Sequence, residues 1–276
     1  MSATLRICHL YPRELNIYAD RGNIAVLERR CQWRGVPVEI AERGTGQLLE
    51  PGRFDLFYLG GGQDRDQSVV AEDLIATKAE RLVAELVDGA ALLAVCGGYQ
   101  LAGAGYTGVD GSRMPGAGIL DADTIALPTR LIGNLAVEVT LNGETATVVG
   151  FENHAGRTRL GPSARPFGRV LAGHGNNGDD DGEGTVQGRA IGTYLHGPLL
   201  PKNPWLADVL IGWGLAHALG GAAPPLSPLD DGLEQAAHVT ALQRAMSGAT
   251  QERALGRRRR LRRRERDRPI DRPNQP

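Results

Sequence analysis

The longest uninterrupted apolar run in the chain, Ala90 to Cys96, stops at Gly97-Gly98. A continuous apolar stretch this short, closed by glycine, reads as a strand covered on both faces, the position of a central strand in a parallel sheet. Parallel strands need crossover connections, and helical patterns lie where those would run. Leu5 to Leu10 reads as a first strand. Asn23 to Trp33 places Ile24, Leu27 and Cys31 at helical spacing and stops at Gly35. Val36 to Ile40 is a second strand, which Pro37 assigns to an edge. Leu56 to Leu59 is a third and runs directly into Gly60-Gly61-Gly62-Gln63-Asp64. Ser68 to Val87 is predicted as one long helix, with Ala71, Ile75, Ala79, Leu82 and Leu86 along one face. Tyr99 to Ala104 begins another after the paired glycines. The alternation predicts an α/β fold: a single domain with a doubly wound, mostly parallel, flavodoxin-like sheet.

The second half is richer in strands. Leu135 to Leu141 alternates apolar and polar residues, Asn142-Gly143 is a hairpin signal, and Thr145 to Phe151 returns. Asn176 to Gly184, with Asp179-Asp180-Asp181, reads as a surface turn, because the alternating ligand spacing of a calcium loop is missing. Ala190 to Tyr194 is a further short strand that delivers His196. A helix starts at Pro204, and Pro224, Pro225 and Pro228 interrupt the chain before a last helical stretch from Leu233 to Met246.

Composition excludes several classes. Aromatic residues make up 5% of the chain while Gly is 38 of 276, which disfavours a nucleic-acid binder built on base stacking; no nucleic-acid partner is expected. No apolar run approaches the roughly 20 residues that span a bilayer, and no charged-then-apolar leader opens the chain. Three cysteines without metal-type spacing argue against a disulfide framework or a structural zinc, so a cytoplasmic setting and no metal are expected. The net charge of −1 conceals an asymmetry. Residues 253–276 hold 11 Arg and 3 acids, a net of +8, while residues 1–252 carry 20 basic and 29 acidic residues, a net of −9. The sequence therefore divides into a folded part, 1–252, and an Arg-rich tail, 253–276, expected to be disordered. The tail is either simply solvated or an electrostatic tether, and composition does not choose.

In open α/β sheets ligands bind beyond the carboxyl ends of the strands. Gly60 to Asp64, Cys96 to Gly98 and His196 all fall there. A cysteine at a sharp strand-to-helix turn presents its sulfur above the sheet, where a helix N-terminus favours the thiolate. Gly97 and Gly98 tolerate the backbone of such an elbow, and the Gly97 amide can face an oxyanion. Cys8 and Cys31 lack this setting and read as small buried hydrophobes. The Gly60–Gly62 loop lacks the lysine and hydroxyl residue of a phosphate loop; its amides suit a second oxyanion donor. A thiol nucleophile needs a base, and spacing alone leaves His196, His9 and His154 as competitors.

These residues together resemble a known family. Leu59-Gly60-Gly61-Gly62-Gln63-Asp64, Ala94-Val95-Cys96-Gly97-Gly98-Tyr99-Gln100 and Gly192-Thr193-Tyr194-Leu195-His196-Gly197 look like class I glutamine amidotransferases of the cobyric-acid-synthase type. Tyr11 to Asn23 and Phe151-Glu152-Asn153-His154-Ala155-Gly156 resemble the same group, and the likeness covers about residues 4–215. Within it, the chain is most similar to glutaminase subunits that serve peptidoglycan synthesis. The resemblance implies that Cys96 attacks the side-chain amide of glutamine and that His196 is the acid and base. It implies further that Gly97 and Gly61 hold the oxyanion, that Arg130 takes the substrate α-carboxylate, and that Gln100 lines the pocket. It implies no cofactor in this chain, with ATP and magnesium on a separate Mur-ligase-like subunit of the MurT type. That heterodimer would amidate D-glutamate in lipid II, at the inner face of the membrane. One departure stands out: many class I enzymes carry glutamate two residues after the histidine, and here the position is Pro198. Either another acid in this chain takes the role or the acid comes from a partner subunit, and the resemblance favours the partner. An amidotransferase for another carboxylate, such as a corrinoid, and a non-catalytic scaffold are the competing readings.

Overall fold

The computed structural model describes residues 3–16, 21–62 and 64–266. The first half gives β1 (Leu5–Leu10), α1 (Arg21–Trp33), β2 (Val38–Arg43), β3 (Leu56–Leu59), α2 (Asp64–Thr77), α3 (Ala79–Asp88), β4 (Ala91–Val95) and α4 (Gly97–Ala102). Strands then dominate: β5 (Gly105–Thr107), β6 (Arg113–Pro115), β7 (Ala122–Leu141), β8 (Glu144–Leu160) and β9 (Gly168–Ala172). The chain finishes with β10 (Gly182–Glu183), β11 (Thr185–Gln187), β12 (Ala190–Thr193), α5 (Pro204–Ala218) and α6 (Gly232–Arg266).

The first sheet has the order β11-β12-β4-β3-β1-β2, and all its neighbours are parallel except β11 with β12. All five residues of β4 are buried, as an apolar run covered on both faces requires. Pro37 precedes β2, which is the edge strand, so its missing N–H deprives no neighbour. A second sheet, β10-β9-β7-β5-β6 with β8 on β7, is almost wholly antiparallel. Its centre is the long β7–β8 hairpin. Asn142 (φ 52°) and Gly143 (φ 81°) make its turn, with the two positive φ values such a tight hairpin needs. The hairpin strands extend well beyond the segments read from alternation, because β7 and β8 exchange partners across a register shift between Ala126 and Leu131.

Two expectations are revised. The predicted helix from Ser68 to Val87 is two helices, broken at Lys78 (φ −133°, ψ −29°). The Lys78 side chain is buried and its ammonium donates to Asp73 (2.5 Å) and Thr77 (2.9 Å) while lying over the Tyr11 ring, and the break lets it reach them. The second concerns the tail: α6 runs through Arg266, into the segment read as disordered from residue 253. Arg, Leu, Ala and Glu are strong helix formers, and propensity continues the helix where no apolar face compels it. Residues 267–276 lie outside the described residues. The earlier part of α6 packs through Ala241, Leu242 and Ala245 on Ala136, Val149 and Ala172 of the second sheet. Its start is fixed by Arg30, which is buried and held by both Asp208 of α5 and Asp231.

Candidate active site

β3, β4 and β12 are adjacent and parallel, so the loops that follow them emerge side by side at one end of the first sheet. Those loops are Gly60–Gly62, Cys96–Gly98 and the segment from Tyr194 to Gly197, which carries His196. Register makes the proximity direct: Thr193 pairs with Val95, and the Cys96 amide donates to the Thr193 carbonyl at 2.8 Å.

Cys96 has φ 52° and ψ −108°, a conformation costly for any residue with a Cβ. It stands between β4 and α4 with 8% of its surface exposed. This is the elbow the flanking glycines suggested. Gly98 cannot carry a side chain, because a Cβ there would come within 2.4 Å of the Leu59 carbonyl oxygen and 2.6 Å of that of Gly60. The Gly60–Gly62 loop therefore rests directly on the first turn of α4. A Cβ on Gly97 would meet the Gly62 amide nitrogen at 2.9 Å and Gln67 Nε2 at 2.6 Å. The Gly62 amide nitrogen therefore lies close beside Gly97. Gln67, to which no sequence motif drew attention, donates to the Gly62 carbonyl at 2.9 Å and braces the loop. Residue 63 lies outside the described residues, as do residues 17–20 of the Tyr11–Asn23 segment.

His196 is buried, 1% exposed, and is joined to the second sheet by a two-bond bridge to Phe151: its N–H donates at 3.0 Å and its carbonyl accepts at 3.1 Å. Burial, followed by the nearby His154 and Arg130, pushes its pKa down to about 4, so the imidazole is neutral near pH 7 and able to accept a proton. The two competing histidines are placed differently. His9 lies edge-on to Tyr58 below the strand ends, and burial lowers it to about 4 as well. His154 stacks on Tyr194 with ring centroids 3.5 Å apart, and its Nδ1 meets the Gly156 carbonyl at 2.8 Å. Pro198 lies against α1, close enough that a Cβ on Gly22 would stand 3.0 Å from its ring. Cys8 and Cys31 are buried, and burial raises both thiols to about 12, consistent with inert packing.

Arg130 sits in the β7 irregularity, exposed at the rim, and its Nε and Nη2 donate to the Asn153 side chain and carbonyl, each at 2.7 Å. A bulge next to a site re-aims a side chain in this way. One edge of the guanidinium is thereby fixed, and the other edge is the one a carboxylate could take as a fork. Gln100 points inward: 5% exposed, it donates to the Tyr194 hydroxyl at 3.3 Å, in a buried polar network with Thr124 and Thr158. Glu152 lies in the Phe151–Gly156 segment, which by sequence gives it no role. Burial opposes its ionisation, but the His154 ring 3.7 Å away and the hydrogen bonds from His174 outweigh that and hold it below the usual carboxylate range. Its oxygens accept from the His174 backbone (2.7 Å) and ring (2.9 Å) and from the Gly175 amide (3.0 Å), so it anchors the 173–175 turn against β8. The acidic segment at 179–181 is an exposed tip with buried flanks, and no cluster of three or more potential metal ligands occurs among the described residues.

The pKa shifts carry a stability consequence. His9 and His196 titrate near 6.5 when unfolded and near 4 when folded, so the unfolded chain binds more protons between those values. Stability contributed by both is present above pH 6.5 and lost as pH falls towards 4. Glu183, raised to about 8 from 4.5 by burial, opposes them with one proton against two down to pH 4.5. The melting temperature is expected to fall on acidification from pH 6.5 to 4, and His9→Asn to make that fall shallower.

A cysteine at an elbow, glycine amides close to it and a neutral imidazole just past the adjacent strand are the parts that a thiol-dependent acyl transfer would use, set on a doubly wound sheet. Residues 6–204 match the CobB/CobQ-like glutamine amidotransferase domain, and the chain belongs to that family. Among its relatives, the lipid II isoglutaminyl synthase (glutamine-hydrolyzing) subunit GatD of Staphylococcus aureus strain N315 is 39% identical over 207 residues, covering 75% of this chain and 83% of that protein. The GatD subunit of Streptococcus pneumoniae is 36% identical over 217 residues, covering 78% and 82%. The cobyric acid synthase of Rhodobacter capsulatus is 36% identical over 171 residues, but only 34% of its length is matched. The PurLQS structure from Thermotoga maritima shares the fold, with a TM-score of 0.50 at 17% identity over 78% of this chain and 97% of the matched one.

Proposed function

We propose that the chain is the glutaminase subunit of a lipid II isoglutaminyl synthase. It hydrolyses L-glutamine and passes ammonia to a separate subunit that amidates D-glutamate in lipid II. The observation that carries this reading is the alignment of Cys96, the Gly60–Gly62 loop and His196 on three neighbouring parallel strands, in a chain matching two GatD subunits over more than four-fifths of their length. The match to cobyric acid synthase stops at about a third of that enzyme, which favours the two-subunit reading over the corrinoid one.

In this reading glutamine enters with its α-carboxylate on the outer edge of Arg130. His196, neutral before substrate arrives, takes the Cys96 proton as sulfur attacks the amide carbon. The Gly97 amide and a glycine amide of the Gly60–Gly62 loop, Gly61 in the family's pattern, hold the oxyanion, which they can do without reorganising. Collapse of the tetrahedral intermediate breaks the C–N bond, and His196 gives its proton to departing ammonia. Water, deprotonated by His196, then cleaves the thioester and releases glutamate. Arg130→Ala is expected to raise KM for glutamine by about tenfold to a hundredfold with a smaller change in kcat, the cost of one charge-assisted pair. Steady-state glutaminase kinetics check this.

Pro198 carries no carboxylate to orient His196, and the reading assigns that group to the partner, a Mur-ligase-like protein of the MurT type that also binds ATP and magnesium. Ile125, Leu127 and Ile132 are exposed on β7 beside the Arg130 bulge, an apolar rim that supports docking there. No helix among the described residues is long and apolar enough to cross a membrane; in this reading the partner holds lipid II. The test is glutamate release by the chain alone and after adding the partner. A rise of tenfold or more is expected, and equal turnover in both would remove the partner's acid from the account.

A further inference from the structure

We infer that Glu183 is a positioning residue for His196: from the second sheet, its carboxyl fastens the three residues that lead from β12 to the imidazole.

Glu183 is fully buried and lies on β10, paired with Gly168 of β9. Its Oε1 accepts the Tyr194 N–H at 2.7 Å and the Thr193 hydroxyl at 3.0 Å. The Thr193 oxygen in turn accepts the Leu195 N–H at 3.0 Å. Every residue between the end of β12 and His196 is thereby tied, directly or through one hydroxyl, to a single carboxyl oxygen. His196 itself is then met by the Phe151 bridge. The clamp is stiff at its own end too. Gly184 (φ 62°) packs so closely that a Cβ would lie 2.4 Å from the Gly192 oxygen, and Asn176 both donates to the Gly184 carbonyl (2.8 Å) and accepts its N–H (2.9 Å). Asn176 and Thr185 are also bonded to the Tyr99 hydroxyl, which ties the arrangement to α4, the helix Cys96 caps.

The second carboxyl oxygen, Oε2, is buried and has no hydrogen-bond partner among the described residues. A bare buried anionic oxygen is costly, and a protonated one is less so. The titratable groups around it, among the described residues, are Glu152 of β8, Tyr99 of α4 and Tyr194 after β12. None is a cation, and burial, with the Glu152 charge adding to it, pushes Glu183 up to about 8. Oε1 accepts while the proton stays on Oε2, so a glutamine, whose NH2 takes the place of that OH, should serve equally well. This separates a neutral clamp from a buried charge acting on His196 at a distance.

The inference rests on the glutaminase reading for its kinetics, so the experiment adds a readout that does not. The full-length chain with its co-purified partner is compared as wild type, Glu183→Gln, Glu183→Ala and Thr193→Val. The measurements are kcat and KM for glutamine, and the rate at which iodoacetamide alkylates Cys96, located by peptide mass spectrometry. Glu183→Ala is expected to lower kcat tenfold or more with KM within threefold, and to slow alkylation alongside it. Glu183→Gln should stay within threefold of wild type in both. Thr193→Val, which loses the hydroxyl link but keeps the Tyr194 N–H bond, should fall between and decides the matter if Glu183→Ala does not fold. Wild-type rates in Glu183→Ala or Thr193→Val would overturn the inference, as would a Glu183→Gln variant as impaired as the alanine. If wild type releases no glutamate but the alkylation order holds, the glutaminase reading fails while the clamp stands.

Discussion

Replacing Cys96 by alanine is expected to lower glutamate release by at least about a thousandfold while leaving the fold intact. No other thiol among the described residues stands in the site to form the thioester: Cys8 and Cys31 are buried, with thiols raised to about 12. The size of the loss separates a catalytic chain from a scaffold that retains the family's fold. The elbow adds a second expectation. At φ 52° a side chain costs of order 1 kcal/mol that glycine does not. Cys96→Gly should therefore be as inactive as the alanine yet melt at a higher temperature than it does. Thermal denaturation of both variants, measured beside glutaminase assays, gives the comparison. Substantial activity in either would exclude Cys96 as the nucleophile.

Gly98→Ala is expected to be among the most damaging single-methyl additions in the protein. The new Cβ would meet two backbone oxygens, at 2.4 Å and 2.6 Å, and no rotamer change relieves a clash with backbone. Either the Gly60–Gly62 loop or the first turn of α4 must move, and each carries an amide that the proposed mechanism assigns to the oxyanion. The expected loss is about 3 kcal/mol or more of stability, roughly 6–12 °C in Tm for a domain of this size, together with most of the activity. Gly212 provides the contrast. It lies in α5 with nothing within 4 Å of a would-be Cβ, so Gly212→Ala should be neutral or stabilising by up to about 1 kcal/mol. Equal Tm values for the two variants would contradict the close packing of loop on helix.

The sequence carried the first sheet well because its signals are local. An apolar run closed by glycines marks β4 and its elbow, and Pro37 marks an edge, without knowledge of anything distant. The helix break at Lys78 was not legible, since it depends on Asp73, Thr77 and the Tyr11 ring gathering around one ammonium. The extent of the β7–β8 hairpin was hidden for a similar reason: its register shifts at the bulge, so alternation fades where Arg130 is aimed. Cys96 and His196 could be singled out from their strand ends, although choosing His196 over His9 and His154 needed the family likeness. Glu183 and Gln67 could not be. Each acts by hydrogen-bonding a backbone group that only the folded loops bring to it, and neither stands in a pattern that spacing reveals.

The central claim is that nitrogen leaves glutamine here and reaches an acceptor held by another subunit. Its most direct test is to incubate the full-length chain and its co-purified partner with ATP, magnesium, lipid II and glutamine labelled with 15N at the side-chain amide. The stem peptide is then examined by mass spectrometry. The account predicts one 15N in the amidated peptide, dependent on Cys96 and on both subunits. Labelled ammonia and glutamate with an unlabelled, unamidated peptide would contradict the assignment to lipid II.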